Sequence, residues 1–127
     1  MVTSRERVIS ALEHRQPDRV PLDLGSTAVT GIMASALVRL RKELGLDDRA
    51  VRVHEPYQVL GQIDDDLIDA MGIDVLGLSL DDTMFGYPAR DWKPFTLNDG
   101  TPVLVPGLFN TVPEADGNLF TAGRNRP

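Results

Sequence analysis

Ile73-Asp74-Val75-Leu76-Gly77-Leu78 is an apolar run interrupted by one acid and one glycine. Such a run predicts a strand buried on both faces, as in a parallel sheet. Just upstream, Pro56 is a favourable first-turn residue, and Val59, Leu60, Ile63, Leu67, Ile68 and Met71 recur at helical spacing, so a helix is expected from Pro56 to a stop at Gly72. Arg49 to Glu55 reads as a short strand with Val51 and Val53 on one side. Before it, a helix from Ile32 to Leu44 sets Ile32, Ala36, Leu37, Leu40 and Leu44 on one face. Arg39, Arg41, Lys42 and Glu43 cover its other face, and Gly45 is its C-terminal cap.

Further back, Val20, Leu22 and Leu24 alternate with Pro21 and Asp23, which predicts a strand at 20–24. Pro21 has no N–H to donate and belongs at a strand start or an unpaired edge. The chain begins with a capping box, Thr3-Ser4-Arg5-Glu6, followed by the apolar stripe Val8, Ile9, Ala11 and Leu12. The resulting helix, 4–15, should stop before Pro17. Downstream, 93–97 and 101–105 flank Asn98-Asp99-Gly100, a hairpin signal. A turn at 114–117, a short strand at 118–121 and an unstructured tail at 123–127 complete the pattern. Helices alternating with strands predict an α/β fold with a parallel sheet.

The chain has 127 residues, one domain's worth and about half of the roughly 250 that a complete (β/α)8 barrel takes. It contains no cysteine, so disulfides, thiolate zinc sites and a cysteine nucleophile are excluded. No apolar stretch reaches the roughly 18 residues of a membrane helix, and no secretory h-region follows the N-terminus. The net charge of −6, without a basic cluster, argues against nucleic acid. The expectation is a soluble, cytoplasmic protein. Residues 1–53 carry nine basic and seven acidic residues, residues 54–127 four and twelve, so the halves have opposite net charge.

Few residues suggest chemistry. His54-Glu55 opens like a zinc-protease motif, but Gln58 stands where the second histidine belongs. His14, in the last turn of a helix, suits the helix dipole. Asp64, Asp65, Asp66 and Asp69 fail the calcium-loop spacing and read as a solvated acidic face. Asp81 and Asp82 follow the 73–78 strand, and the C-terminal ends of parallel strands carry function. These two are the candidate catalytic residues, able to hold an ammonium, a pyrrole N–H or a water. Asp23 has the same logic at the first strand's end, against a salt bridge to Arg19 or a cap for the following loop. Gly25-Ser-Thr-Ala-Val-Thr-Gly31 offers hydroxyls before a helix and could receive an anion. Asp23, Ser26 and Thr27 are therefore candidate substrate-binding residues. Tyr87, Trp92 and Phe95 read as hairpin packing. No metal-ligand set and no cofactor motif is present.

The segment Arg5-Glu-Arg-Val-Ile-Ser-Ala-Leu-Glu-His-Arg-Gln-Pro-Asp-Arg-Val-Pro-Leu-Asp-Leu-Gly25 resembles the opening of the uroporphyrinogen decarboxylase superfamily, whose start signature is RERV…AL…PDRVP. LRKELGL, DDDLIDAMGIDVLGL, DW and NDGTPVLVPG follow in the same order, and the style is nearest to the branch of corrinoid-dependent methyltransferases. The resemblance implies the N-terminal part of a TIM (β/α)8 barrel, a single partial domain over 1–127. It would be an incomplete barrel with 20–24 and 73–78 as consecutive strands and a β-hairpin insertion at 93–121. It places the family's catalytic aspartate near Asp81, counted from Asp74. In true decarboxylases an arginine-bearing RQAGR loop grips the substrate carboxylates, whereas here Gly25–Gly31 has no arginine. In the methyltransferases, zinc held by His and Cys activates a thiol acceptor, and those ligands lie outside this chain.

The resemblance therefore implies an enzyme fragment, methyltransferase-like or a carboxy-lyase when complete, with no cofactor of its own. Zinc, a corrinoid methyl donor and a small-molecule substrate would belong to the complete enzyme. The alternative reading is a non-catalytic association subunit that pairs with itself or with the remainder of the barrel. A remnant without function is a third. None of these involves nucleic acid or a membrane.

Overall fold

A computed structural model describes residues 1–78, 81–111 and 115. Three helices accompany a four-stranded mixed sheet: α1 (Ser4–Leu12), α2 (Ala34–Glu43), β1 (Val51–Glu55), β2 (Leu60–Gly61), α3 (Asp65–Met71), β3 (Lys93–Thr96) and β4 (Pro102–Val105). A one-turn 3₁₀ helix, Ala28–Thr30, precedes α2. The sheet order is β2-β1-β4-β3. β1 runs parallel to β4, with Val51 opposite Val103, and the two outer pairs are antiparallel.

This architecture corrects the barrel expectation. The described chain forms a small α/β domain around a mixed sheet, not part of a TIM barrel. The two segments expected to be barrel strands, 20–24 and 73–78, belong to no sheet, and the first ends in a bend at Leu24. They do lie side by side, since the Asp74 amide donates to the Leu22 carbonyl at 2.8 Å. The ladder goes no further for a local reason. Pro21 lacks an N–H, and the Leu22 amide is taken by the Asp74 carboxylate at 2.9 Å instead of a backbone carbonyl. Gly77 packs so tightly on this segment that a Cβ would lie 2.5 Å from the Ser26 carbonyl oxygen.

Three strands of the sheet, β1, β3 and β4, come from other predicted pieces, whereas β2 falls inside the expected Pro56–Gly72 helix. β1 alternates buried and exposed positions, placing Val51, Val53 and Glu55 inward. The hairpin expected around Asn98-Asp99-Gly100 is present as β3 and β4, with Gly100 in the left-handed region. β3, an edge strand, carries Lys93 and Pro94, both of which discourage further pairing. Leu37 of α2 and Leu67 of α3 pack with Val53, Val103 and Val105 as the most deeply buried side chains.

The helix expected from Pro56 starts nine residues later, at Asp65. The buried Glu55 carboxylate explains the difference: it accepts the Tyr57 and Gln58 amides at 3.0 and 2.7 Å and closes a turn. That turn sends the chain back as β2 against β1. Gly61 passes beneath α2 so closely that a Cβ would sit 2.5 Å from Leu37 Cδ2.

α1 has the full capping box, Thr3 and Glu6 each bonding the other's backbone N–H. It ends at Leu12, earlier than expected, and His14 adopts φ 57°. The Arg15 amide reaches back to the Ser10 carbonyl and the His14 amide to Ala11, a Schellman closure. Gly45 and Gly72 close α2 and α3 in the same way at positive φ. The α2 face also differs from expectation: Ala36 is exposed, and Arg41 is almost fully buried. The turn at 114–117 and the strand at 118–121 fall outside the described residues, apart from the exposed Ala115.

Two outcomes follow for urea unfolding. Leu37→Ala removes a fully buried side chain and should cost about 2–5 kcal/mol. His14→Gly removes the left-handed penalty at a helix end and should add roughly 1 kcal/mol. A stability loss for the glycine variant would contradict the described end of α1.

Candidate functional site

Asp74 lies at the centre of the polar interior. Its side chain has 0 % exposure. Its Oδ1 accepts Arg7 Nη1 at 2.6 Å and Arg19 Nη2 at 3.1 Å, and its Oδ2 accepts Arg19 Nη1 at 2.7 Å besides the Leu22 amide. Arg7 is buried and also grips Asp18 through Nε and Nη2 at 2.7 and 2.8 Å. Arg19 donates onward to the Gly72 carbonyl at 2.8 Å. The Leu22 amide, then the Ser4 hydroxyl and the two guanidiniums, hold the Asp74 carboxyl below the usual carboxylate range, although burial pushes the other way. Asp18 is lowered in turn, chiefly by Arg7. Of the two structural readings of Asp23, the bridge to Arg19 gives way to the loop cap: Arg19 pairs with Asp74.

A second network closes the opposite side. Arg41 Nη2 contacts Asp66 Oδ2 at 2.7 Å and Asp47 Oδ1 at 2.6 Å, and Arg49 Nη2 also reaches Asp47 at 2.6 Å. Asp66 is lowered, first by Arg41, and Asp47 strongly so, first by Arg49. The triple aspartate read as a solvated face is therefore partly engaged: Asp66, and at longer range Asp64, face these arginines.

The loop candidates lie together and satisfy one another. Asp23 Oδ1 accepts the Ser26 amide at 3.2 Å and the Thr30 hydroxyl at 3.1 Å, and Oδ2 accepts the Ser26 hydroxyl at 2.6 Å. Thr27 accepts the Val29 amide at 3.2 Å, and the Thr27 amide donates to the Thr30 hydroxyl at 3.2 Å. Gly25, at φ 84°, closes the loop by donating to the Thr30 carbonyl. The Gly25, Ser26, Thr27, Val29 and Thr30 amides are engaged within the loop, and the carboxylate at its centre opposes an incoming anion. The arrangement suits a hydroxyl or cationic group at the rim better than a phosphate.

Asp81 and Asp82 sit elsewhere, at the base of a tight reversal over 81–89. The Ala89 amide donates to the Asp81 carbonyl at 2.9 Å, Asp82 bridges Pro88, and the Thr83 amide donates to the Tyr87 carbonyl at 2.8 Å. Both carboxylates are exposed. Among the described residues no hydrogen bond or ion pair joins them to the Asp23 loop. Tyr87, Trp92 and Phe95 take separate partners: Phe85, the Arg52 guanidinium and Phe109.

His14 is exposed. His54 is half-buried on β1, and burial lowers its pKa against the opposing pull of Glu55. Among the described residues no three His, Cys, Asp or Glu side chains are grouped so as to hold a metal ion. The chain has no cysteine to offer the His/Cys zinc centre of the resembled methyltransferases, whose ligands the resemblance places outside residues 1–127. No helix among the described residues is long and apolar enough to cross a membrane. No protein-family model, curated protein or solved structure matches the chain.

The lowered carboxylates set the acid response. Their charged forms are favoured by the fold, so their stabilisation is complete above the ordinary aspartate pKa of about 4 and disappears as pH falls below it. His54 acts earlier: the unfolded chain takes up a proton below about pH 6.5 that the folded chain resists, so stability starts to decline there. Urea midpoints measured against pH should fall in these two steps. Asp74→Asn should lower the neutral-pH midpoint and flatten the acid step, and an unchanged acid step would remove Asp74 from this role. Asp23→Ala should accelerate amide exchange at Ser26 and leave exchange in β1 and β4 unchanged.

Proposed function

We propose that this chain is an association module of an enzyme similar to the uroporphyrinogen decarboxylase superfamily, with no turnover by itself. The observation that carries the reading is the pair of non-helical segments 20–24 and 73–78, which belong to no sheet. They are held side by side by Asp74, yet Val20 is 83 % exposed, Leu76 66 % and Leu78 96 %. Large apolar side chains exposed on backbone outside any sheet favour contact with another polypeptide.

In this reading the partner, a second copy or a separate segment, supplies the groups that bind substrate and any metal. This chain adds the Asp81–Asp82 pair and the Asp23, Ser26 and Thr27 rim. The Gly25–Gly31 loop has no arginine for substrate carboxylates, which favours methyl transfer from a corrinoid donor over porphyrinogen decarboxylation.

Two measurements test the proposal. Purified chain, incubated with methylated corrinoid and a thiol or with a porphyrinogen, should show no rate above the enzyme-free control, and measurable turnover would overturn the inactivity. Sedimentation velocity over a dilution series should show concentration-dependent association. Leu76→Lys with Leu78→Lys should abolish it while the circular dichroism spectrum stays the same. A parent chain that is monomeric at every concentration would overturn the association reading.

A further inference from the structure

We draw no further inference here: the strongest candidate, the exposed apolar patch of Val20, Leu76 and Leu78 on the paired segments 20–24 and 73–78, belongs to the surface already described, and nothing in the structure shows what covers it.

Discussion

Asp74 keeps its carboxylate wholly out of water, and three separated parts of the chain meet on it: Arg7 from α1, Arg19 from the loop after it, and the Leu22 amide from segment 20–24. A charge buried this way is tolerable only while all its partners are in place, because each one removed leaves desolvated charge uncompensated. α1 has few other ties to the domain, since Arg7 is its only fully buried residue. Hydrophobic packing holds the sheet, α2 and α3 together, whereas ion pairs through Arg7 and Arg19 tie α1 and the loop after it to Asp74. Arg41 does a similar job across the domain, joining the end of α2 to Asp47 and to the first turn of α3 at Asp66.

Local signals were readable where local chemistry decides the outcome. The Thr3–Glu6 box, the glycine stops at Gly45 and Gly72, the β1 alternation and the Asn98-Asp99-Gly100 hairpin are each determined within a few residues. What was not readable depends on distant partners. The apolar letters of 73–78 cannot reveal that Leu22 spends its amide on a side chain, which stops a ladder after one bond. Nothing in the spacing of α2 shows that Arg41 turns inward to Asp47 and Asp66. Pro56 is a sound helix start in isolation, but the neighbouring Glu55 caps a turn there. The missing glycine at the end of α1 hid its early stop, because His14 takes the left-handed position instead.

The same split applies to the candidate site. The Asp23 loop was legible as a loop with a capping acid, and Asp23 does cap it. Asp81 and Asp82 follow a segment whose letters predict a strand, but 73–78 joins no sheet, so their position rests on the 81–89 reversal instead. The residues that carry the family resemblance have a structural explanation of their own. In RERV…PDRVP and GID, Arg7, Asp18, Arg19 and Asp74 form one ion-pair network, in which Arg7 and Asp74 are buried and Asp18 and Arg19 reach solvent. Those letters read as framework.

The most direct test of that framework is a double-mutant cycle between Arg7 and Asp74, using Arg7→Met and Asp74→Leu, read by urea unfolding and by amide exchange in α1. If the two residues form one unit, the losses are far from additive, and α1 exchanges rapidly in both single variants. Additive losses, with α1 still protected after either substitution, would show that something other than the buried carboxylate holds the N-terminal helix in place.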